Sequence, residues 1–471
     1  MKTHGRNIVS LFGSDAIVRL LGFASTTYMA RVLGGEAFGV VNLGLAVFSY
    51  GMIFASPGLH IIGTRMISQK VGREGATVRY VTSLRFLLAL ATIIIISGIT
   101  CLIVHDATTR LVLLLYVAAL LPFSLQIDWY YQGAQRIATL GITRAAAALL
   151  YLVLLLLLIA SPEDIHLVPV AYFANVAVIA LILIWFFPEA KTDHSPLNSK
   201  SAEPPKWSVL LRQGLPVGAA TILSQAVLNL PVILLGVFST SLEIGGFSAA
   251  SRLVFFLLAI DRAIYILFYP LVARTASANP SELGNQVGRI LAYLLIIALP
   301  ICAGGIVLAR PVIVLIFGSQ YVGASRLLQI LLFYFLFTVL NSIFSYVLIA
   351  VGNERRYSNI IVSLSSILLL ALIPLTYYWK ATGASLGLVL GELAMVSLMY
   401  RECRVSALIA LRISFVRPLL CSVLMGVLLL LLPSTGVFVS IVLGIISYFS
   451  AMALTKGITK DDILFLKERL L

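Results

Sequence analysis

Asp15 and Arg19 stand four residues apart in GSDAIVRLLGF, inside an otherwise apolar stretch. That spacing puts both side chains on one face of a helix, where they could neutralise each other. A second reading stays open. Arg19 lies about twelve residues into its apolar run, roughly 18 Å along a helix, where a guanidinium facing hydrocarbon costs ~2.5–3.5 kcal/mol; a hydrated cavity would remove that cost. Arg252 lies about seven residues, or roughly 10 Å, into another run and has no acid three or four positions away. Arg262 follows Asp261 and reads equally as half of a structural pair or as a cavity residue. A planar guanidinium fork matches phosphate and carboxylate, and no lysine lies inside any apolar run. The chemistry on offer is recognition of an anion, such as the headgroup of a lipid.

Polar side chains add stripes to these runs. Asn42, Ser49 and Ser56 recur every seven residues, with His60 one turn on, and Thr221, Gln225 and Asn229 recur every four. Each set shares one helix face and either bonds between helices or borders a wet path. The candidate substrate-binding residues are therefore Arg19, Arg252, Arg262, Asn42, Ser49, His60, Gln225 and Asn229. Arg85, Arg144 and Arg417 lie within about two turns of the basic end of a run and are expected to snorkel to headgroups. No HExxH, Walker sequence or paired-carboxylate loop is present, and the four cysteines (Cys101, Cys302, Cys403, Cys421) have no metal spacing. No enzyme activity, metal or cofactor is expected.

The elements that must position these residues follow from composition. Of 471 residues, 60% are hydrophobic and 11% charged, about half the charge of a soluble chain. Fourteen apolar segments, each of roughly 20 residues or more, run between residues 8 and 455, which predicts an all-α polytopic membrane protein of about 14 transmembrane helices. A β-barrel would alternate apolar and polar residues instead. The first run is too long for a cleaved leader and reads as a signal-anchor. Placing both termini in the cytoplasm assigns 22 of the 33 Lys and Arg to inner segments and five to outer ones, as the positive-inside rule favours. That bias accounts for most of the net charge of +14, so no nucleic-acid partner is implied.

The polar, proline-rich stretch 188–207 reads as a cytoplasmic linker between an N-terminal lobe, 1–187 (spans 1–6), and a C-terminal lobe, 208–403 (spans 7–12). Residues 404–455 supply two additional spans, and 456–471 an amphipathic tail on the cytoplasmic membrane surface. YQGAQRIATLGI (131–142) and AVGNERRYSNII (350–361) share Gly-x-x-Arg, and GEAFGVVNLGLA resembles EIGGFSAASRLV. With six spans per half, the two lobes are expected to be pseudo-symmetric about an axis along the membrane normal, with a substrate site at mid-depth.

The stretch LGGEAFGVVNLGLAVFSYGMIFASPGLHIIGTRMIS (33–68), then DWYYQGAQR (128–136), FGSQYVGASRLLQILLFYFLFTVLNSIF (317–344) and GASLGLVLGELAMV (383–396) occur in that order. In this series the chain resembles the polysaccharide flippases of the multidrug/oligosaccharidyl-lipid/polysaccharide exporter superfamily, the Wzx-type O-antigen and exopolysaccharide transporters. The resemblance implies two six-helix lobes, alternating access, and an oligosaccharide linked to undecaprenyl pyrophosphate as substrate. It also implies ion coupling by H+ or Na+, with Asp15, Asp128, Asp261 and Glu392 as candidate carriers. A bacterial cytoplasmic (inner) membrane, surrounding lipid and a polysaccharide polymerase partner complete the expected setting. Arg19 in VRLLGF and Arg252 in SRLVFF resemble cavity arginines of lipid II flippases, with Ser25 where those carry a further arginine. Competing readings are a lipid II flippase, a multidrug/cation antiporter of the same superfamily, and a membrane glycosyltransferase or polymerase.

Overall fold

The computed structural model describes residues 2–69, 74–188, 207–406, 415–432, 436–455 and 457, though not the side chains of 2–14, 213, 215–228, 262–267 and 280–281. The linker 188–207 and the tail 456–471 lie outside the described residues, apart from Pro188, Trp207 and Gly457. Every secondary-structure element among the described residues is helical, as expected. Ten stretches are long and apolar enough to cross a membrane, and Asn229–Phe238 and Val416–Leu431 are shorter apolar helices.

The count of ten does not match fourteen one for one, and length is part of the reason. Asp15–Ala55 has 41 residues and Glu354–Val405 has 52. As straight helices they would run ~60 and ~78 Å, against ~30 Å of hydrocarbon. Both are broken by non-helical residues, Gly34 (φ 80°, ψ 172°) in the first and Lys380 (φ 49°, ψ −132°) in the second. The chain separates into two compact units, Met1–Gly245 and Gly246–Leu471.

The first unit holds α1 (Lys2–Ala55), α2 (Leu59–Ser68), α3 (Glu74–Ile103), α4 (Ala107–Ala118), α5 (Leu120–Leu125), α6 (Asp128–Gly133), α7 (Ile137–Leu158), α8 (Leu167–Trp185) and α9 (Trp207–Phe238). Helix α1 packs against α3, α4, α7 and α9. The short helix α6 is the DWYYQG stretch, and its three aromatic rings are all buried. Each ties a different neighbour. The Tyr130 hydroxyl donates to Glu74 Oε2 of α3 at 3.0 Å, and the Tyr131 hydroxyl donates to the Leu183 carbonyl of α8 at 2.8 Å. The Trp129 carbonyl accepts from Thr64 Oγ1 of α2 at 3.1 Å. Glycines let these elements close up: a Cβ at Gly63 would fall 2.5 Å from the Trp129 ring, and one at Gly133 would fall 2.7 Å from the Thr64 carbonyl oxygen.

The second unit holds all but the first turn of α10 (Ser241–Leu257), with α11 (Ala259–Ala278), α12 (Pro280–Val307), α13 (Ala309–Phe317), α14 (Ala324–Ala350), α15 (Glu354–Ser406), α16 (Val416–Leu431) and α17 (Val437–Leu454). Helix α15 folds back on itself at Lys380. Gly383, Gly387 and Gly391 face Leu375, Leu372 and Leu368, and a Cβ on them would lie 1.9, 2.6 and 2.6 Å from those residues. Glycine every fourth residue gives the returning limb a flat face, so two apolar helices can lie close without a hydrophobic driving force between them. Helix α14 packs against this hairpin and against α11 and α12, and α16 packs on α12 and α17.

The two Gly-x-x-Arg segments close their helices by the same turn but not at the same glycine. The Arg136 N–H donates to the Tyr131 carbonyl at 2.8 Å, and the Asn353 N–H donates to the Leu348 carbonyl at 2.9 Å. Both are bonds back over five residues, with Gln135 (φ 57°) and Gly352 (φ 79°) in the left-handed position. The left-handed residues are thus 352 − 135 = 217 residues apart, whereas the motif glycines Gly133 and Gly352 are 352 − 133 = 219 apart. Gly352 is there for its φ and has open space around its Cβ position, whereas Gly133 is there for close packing.

This contrast is testable. Gly133→Ala drives a methyl into backbone and should cost about 1–3 kcal/mol. Gly98→Ala in α3, where a Cβ meets nothing within 4 Å, should be neutral or stabilise by up to about 1 kcal/mol. Thermal unfolding of the detergent-purified variants gives the comparison, and equal melting temperatures for the two would contradict it.

Candidate functional site

Charged groups in a membrane span need local partners or water, and the structure gives each candidate a distinct environment. Arg19 Nε donates to Asp15 Oδ2 at 3.1 Å, one helical turn away, with side chains 42% and 46% exposed. The pair is formed, and it lies at a surface rather than in dry packing. Arg252 projects from α10 as an exposed side chain beside two buried serines, Ser248 and Ser251. The side chains of Arg262 and Gln225 lie outside the described residues. Asn229 is half-buried on α9.

The stripe on α1 is turned inward on its own helix. Asn42 Nδ2 donates to the Phe38 carbonyl at 2.7 Å, and Ser49 Oγ donates to the Leu45 carbonyl at 2.8 Å. Bonds of this kind to the carbonyl four residues back satisfy the donors without a second helix or water. Ser56 is buried and its hydroxyl has no hydrogen-bond partner among the described residues.

A charge cluster in the first unit surrounds Asp128, the first residue of α6. Arg144 Nη2 of α7 donates to Asp128 Oδ2 at 3.1 Å. His60 of α2, half-buried, and Arg85 of α3 both lie within reach of the Asp128 charge. The expectation that Arg85 snorkels fails: the side chain is 1% exposed. Its Nη1 donates to the Gln126 carbonyl at 2.5 Å and its Nη2 to the Phe123 carbonyl at 3.2 Å, with the guanidinium 5.2 Å from the Phe123 ring centroid. Those carbonyls lie where the chain breaks between α5 and α6, with Gln126 extended at ψ 124°. Arg85 supplies the donor that the Gln126 carbonyl would have found in a continuous helix, and adds a second donor to the Phe123 carbonyl, which also accepts the Gln126 N–H at 3.1 Å. Its depth was readable from sequence, but the break in the neighbouring segment was not.

A second polar cluster lies wholly within the second unit. Glu392, on the returning limb of α15, accepts from Asn341 Nδ2 of α14 at 2.8 Å. Asp261 of α11 lies within electrostatic reach of Glu392, with Ser342 of α14 against its carboxylate. One Asp261 oxygen is buried with no hydrogen-bond partner among the described residues. Asp15 and Asp128 each hold an arginine; Glu392 and Asp261 instead share neutral amide and hydroxyl neighbours. Sequence reasoning had no means to choose among these four acids, because residues 261, 341 and 392 meet only through the packing of α11, α14 and α15.

The same unit contains a groove of about 470 Å³ between α10, α12, α14, α16 and α17. Pro300, Gly304 and Gly444 leave room in it, and Leu253, Leu332 and Met425 line it. Only Ser440 and Tyr448 bring polar side chains, and the Tyr448 hydroxyl is spent on the Ile296 carbonyl at 2.9 Å. Such a lining takes hydrocarbon and offers little to anything else.

Comparison with known proteins agrees with this architecture. Residues 4–276 match the model of a family described as polysaccharide biosynthesis protein. A protein of Escherichia coli K12 described as a candidate O-antigen transporter is 23% identical over 416 residues, covering 84% of this chain and 95% of its own length. A similarly described protein of Shigella dysenteriae is 23% identical over 406 residues, with 85% and 100% covered. Among solved structures, the lipid II flippase MurJ in an inward closed conformation superposes with a TM-score of 0.70 at 15% identity, covering 95% of this chain and 98% of that one. An inward-facing multidrug resistance MATE family transporter of the MOP superfamily gives 0.65 at 16% identity, covering 83% and 94%. At these identities the structural likeness establishes the fold.

The two charged environments in the first unit should respond differently to mutation. Arg85→Met leaves the Gln126 carbonyl without its donor, while the Phe123 carbonyl keeps the Gln126 N–H, and should cost about 1–3 kcal/mol. Arg144→Met removes a pair whose arginine is 48% exposed and should cost under about 1 kcal/mol. Thermal unfolding in detergent distinguishes them; an Arg85→Met protein as stable as the parent would restore the snorkelling reading.

Proposed function

The chain belongs to the polysaccharide biosynthesis protein family, and from that premise we propose that it is a flippase for an oligosaccharide carried on undecaprenyl pyrophosphate, an O-antigen or exopolysaccharide repeat unit. It works in the bacterial cytoplasmic membrane by ion-coupled alternating access, without chemical conversion of its cargo. The observation that carries the reading is the apolar groove in the second unit, with almost no polar side chain in its lining. Its lining suits hydrocarbon of a polyprenyl tail better than a hydrophilic drug.

The anionic end of the same cargo is assigned to Arg19 and Arg252. Pyrophosphate offers oxygens that a guanidinium fork meets two at a time. Asp15 then acts as the resident counterion of Arg19, holding it until a stronger anion arrives. Asn42, Ser49, His60, Gln225, Asn229 and Arg262 remain candidates for weaker contacts to sugar hydroxyls and phosphate. Ion coupling is assigned to Glu392 and Asp261. Their neighbours among the described residues, Asn341 and Ser342, are neutral, so an H+ or Na+ supplies a charge that no described arginine does. Asp15 and Asp128, already paired with arginine, are assigned structural roles.

The test is flipping of a fluorescent undecaprenyl-pyrophosphate oligosaccharide in proteoliposomes, alongside surface polysaccharide in cells. Arg19→Ala and Arg252→Ala should each cut flipping at least about tenfold, matching the ~1.5–3 kcal/mol of a charge-assisted hydrogen bond. Lysine at either position should rescue only in part. Normal flipping in both alanine variants would defeat the assignment, and preferential flipping of lipid II would replace the cargo.

Glu392→Gln should leave substrate binding intact and remove the acceleration that an imposed H+ or Na+ gradient gives the parent protein. A glutamine variant that still responds fully to both gradients would eliminate Glu392 as the coupling residue.

A further inference from the structure

The α15 hairpin carries its own measure of the membrane. The outgoing limb has no charged residue from Tyr357 to Thr376, a stretch of 20 positions. The returning limb, Ala381 to Tyr400, also has 20 positions, and Glu392 is its single charge. At 1.5 Å per residue each limb spans ~30 Å, the thickness of a bilayer's hydrocarbon core. At one end both limbs finish in charge: Glu354, Arg355 and Arg356 on one side, Arg401, Glu402 and Arg404 on the other. The two ends are joined there by an ion pair from Arg356 to Glu402.

The other end is different in kind. The tip consists of Tyr377, Tyr378, Trp379 and Lys380. The three rings are 53%, 74% and 59% exposed, which is unusual for side chains of that size. Lys380 holds a positive φ of 49° without being glycine, and its ammonium stands 5.6 Å from the Tyr377 ring centroid. The strained turn is thereby braced on its own aromatic neighbour. Rings with one apolar body and one polar edge gain most where hydrocarbon gives way to headgroups.

We propose that this tip is a lipid-interface anchor: Tyr377, Tyr378 and Trp379 lie in the headgroup–acyl boundary of the leaflet opposite the basic end of the hairpin, with the Lys380 ammonium just beyond, among the phosphates. The partner is the phospholipid surface itself. The anchor fixes the depth of the hairpin and hence of Glu392. Counting from the tip, Glu392 is the twelfth residue of its limb, ~18 Å below the aromatic ring layer and ~12 Å above the basic end. A carboxylate held at mid-depth by a clamp at each end of its own hairpin keeps that depth whatever the identity of the cargo, so the inference does not depend on the function proposed above.

Depth-dependent fluorescence quenching tests it on the full-length protein in phosphatidylcholine vesicles. The chain has four tryptophans, and Trp379 is isolated as the difference between Trp185→Phe/Trp207→Phe and the same protein with Trp379→Phe added. Buried Trp129 cancels in that difference. The expected result is a larger loss of Trp379 emission with lipids brominated near the top of the acyl chain than with lipids brominated at its middle, and weak quenching by aqueous iodide. Strongest quenching at mid-chain, or strong iodide quenching with none from brominated lipid, overturns the proposal. Protection of Trp379 from acrylamide by a neutral oligosaccharide such as maltoheptaose also overturns it and would make the tip a sugar platform. If the double variant does not fold, the native chain against Trp379→Phe gives the same difference.

Discussion

A helix that breaks inside hydrocarbon must find donors for the carbonyls it releases, because no water is there to take them. The first unit depends on how that demand is met between α5 and α6. Arg85 reaches from α3 and donates to the Phe123 and Gln126 carbonyls. Gln126 in turn donates through Nε2 to the Val176 carbonyl of α8 at 3.0 Å. One buried cation therefore stabilises the bend, and the bend sets the start of α6. From there DWYYQG bonds to α2 through the Trp129 carbonyl and to α3 and α8 through the Tyr130 and Tyr131 hydroxyls. The guanidinium has five donors; the released Gln126 carbonyl, the Phe123 carbonyl and a ring face offset its burial, although its Nε has no hydrogen-bond partner among the described residues. A hydrocarbon residue of similar volume could fill the space but could not bridge the gap.

That constraint also explains which features could be read from the sequence. Composition and run length gave the helical membrane class, because the bilayer imposes both on any spanning chain. The Asp15–Arg19 pair was readable because it is local, one turn of one helix. The distinctiveness of DWYYQG was visible, while its reason was not: it is a packing hub whose partners lie 52 to 65 residues away in the chain. Arg85 was misplaced for the same cause. Its distance from the end of a run says how deep it lies, and nothing about the carbonyls that a neighbouring segment will leave open. The two Gly-x-x-Arg segments end their helices in the same kind of turn, but the left-handed residue is Gln135 in one and Gly352 in the other, since glycine can be selected for a left-handed φ or for close approach, and the letter does not say which.

The acids divide along a physical line that sequence alone could not draw. Asp15 and Asp128 have arginine partners fixed by the fold, so adding a cation to either would cost a salt bridge. Glu392 is fixed by an amide from Asn341, whose own oxygen is 3.5 Å from the Ser345 hydroxyl, and Asp261 lies nearby with one oxygen unmatched. Two carboxyls in electrostatic reach of each other, with neutral dipoles and no countercharge among the described residues, repel when both are ionised. That repulsion is relieved by a proton or a small cation and returns when it leaves. Because Glu392 belongs to α15, Asn341 and Ser342 to α14, and Asp261 to α11, the relief acts on the packing of three helices at once. If these acids carry the coupling ion, as proposed, a charge change there acts on the contacts of α11 and the α15 hairpin with α14, the kind of coupling between a small ion and helix arrangement that a transporter requires. The apolar groove borders α14 as well, through Leu328 and Leu332. Under that proposal, the helix that carries Asn341 and Ser342 is also a wall of the groove, and no separate relay between the two is needed.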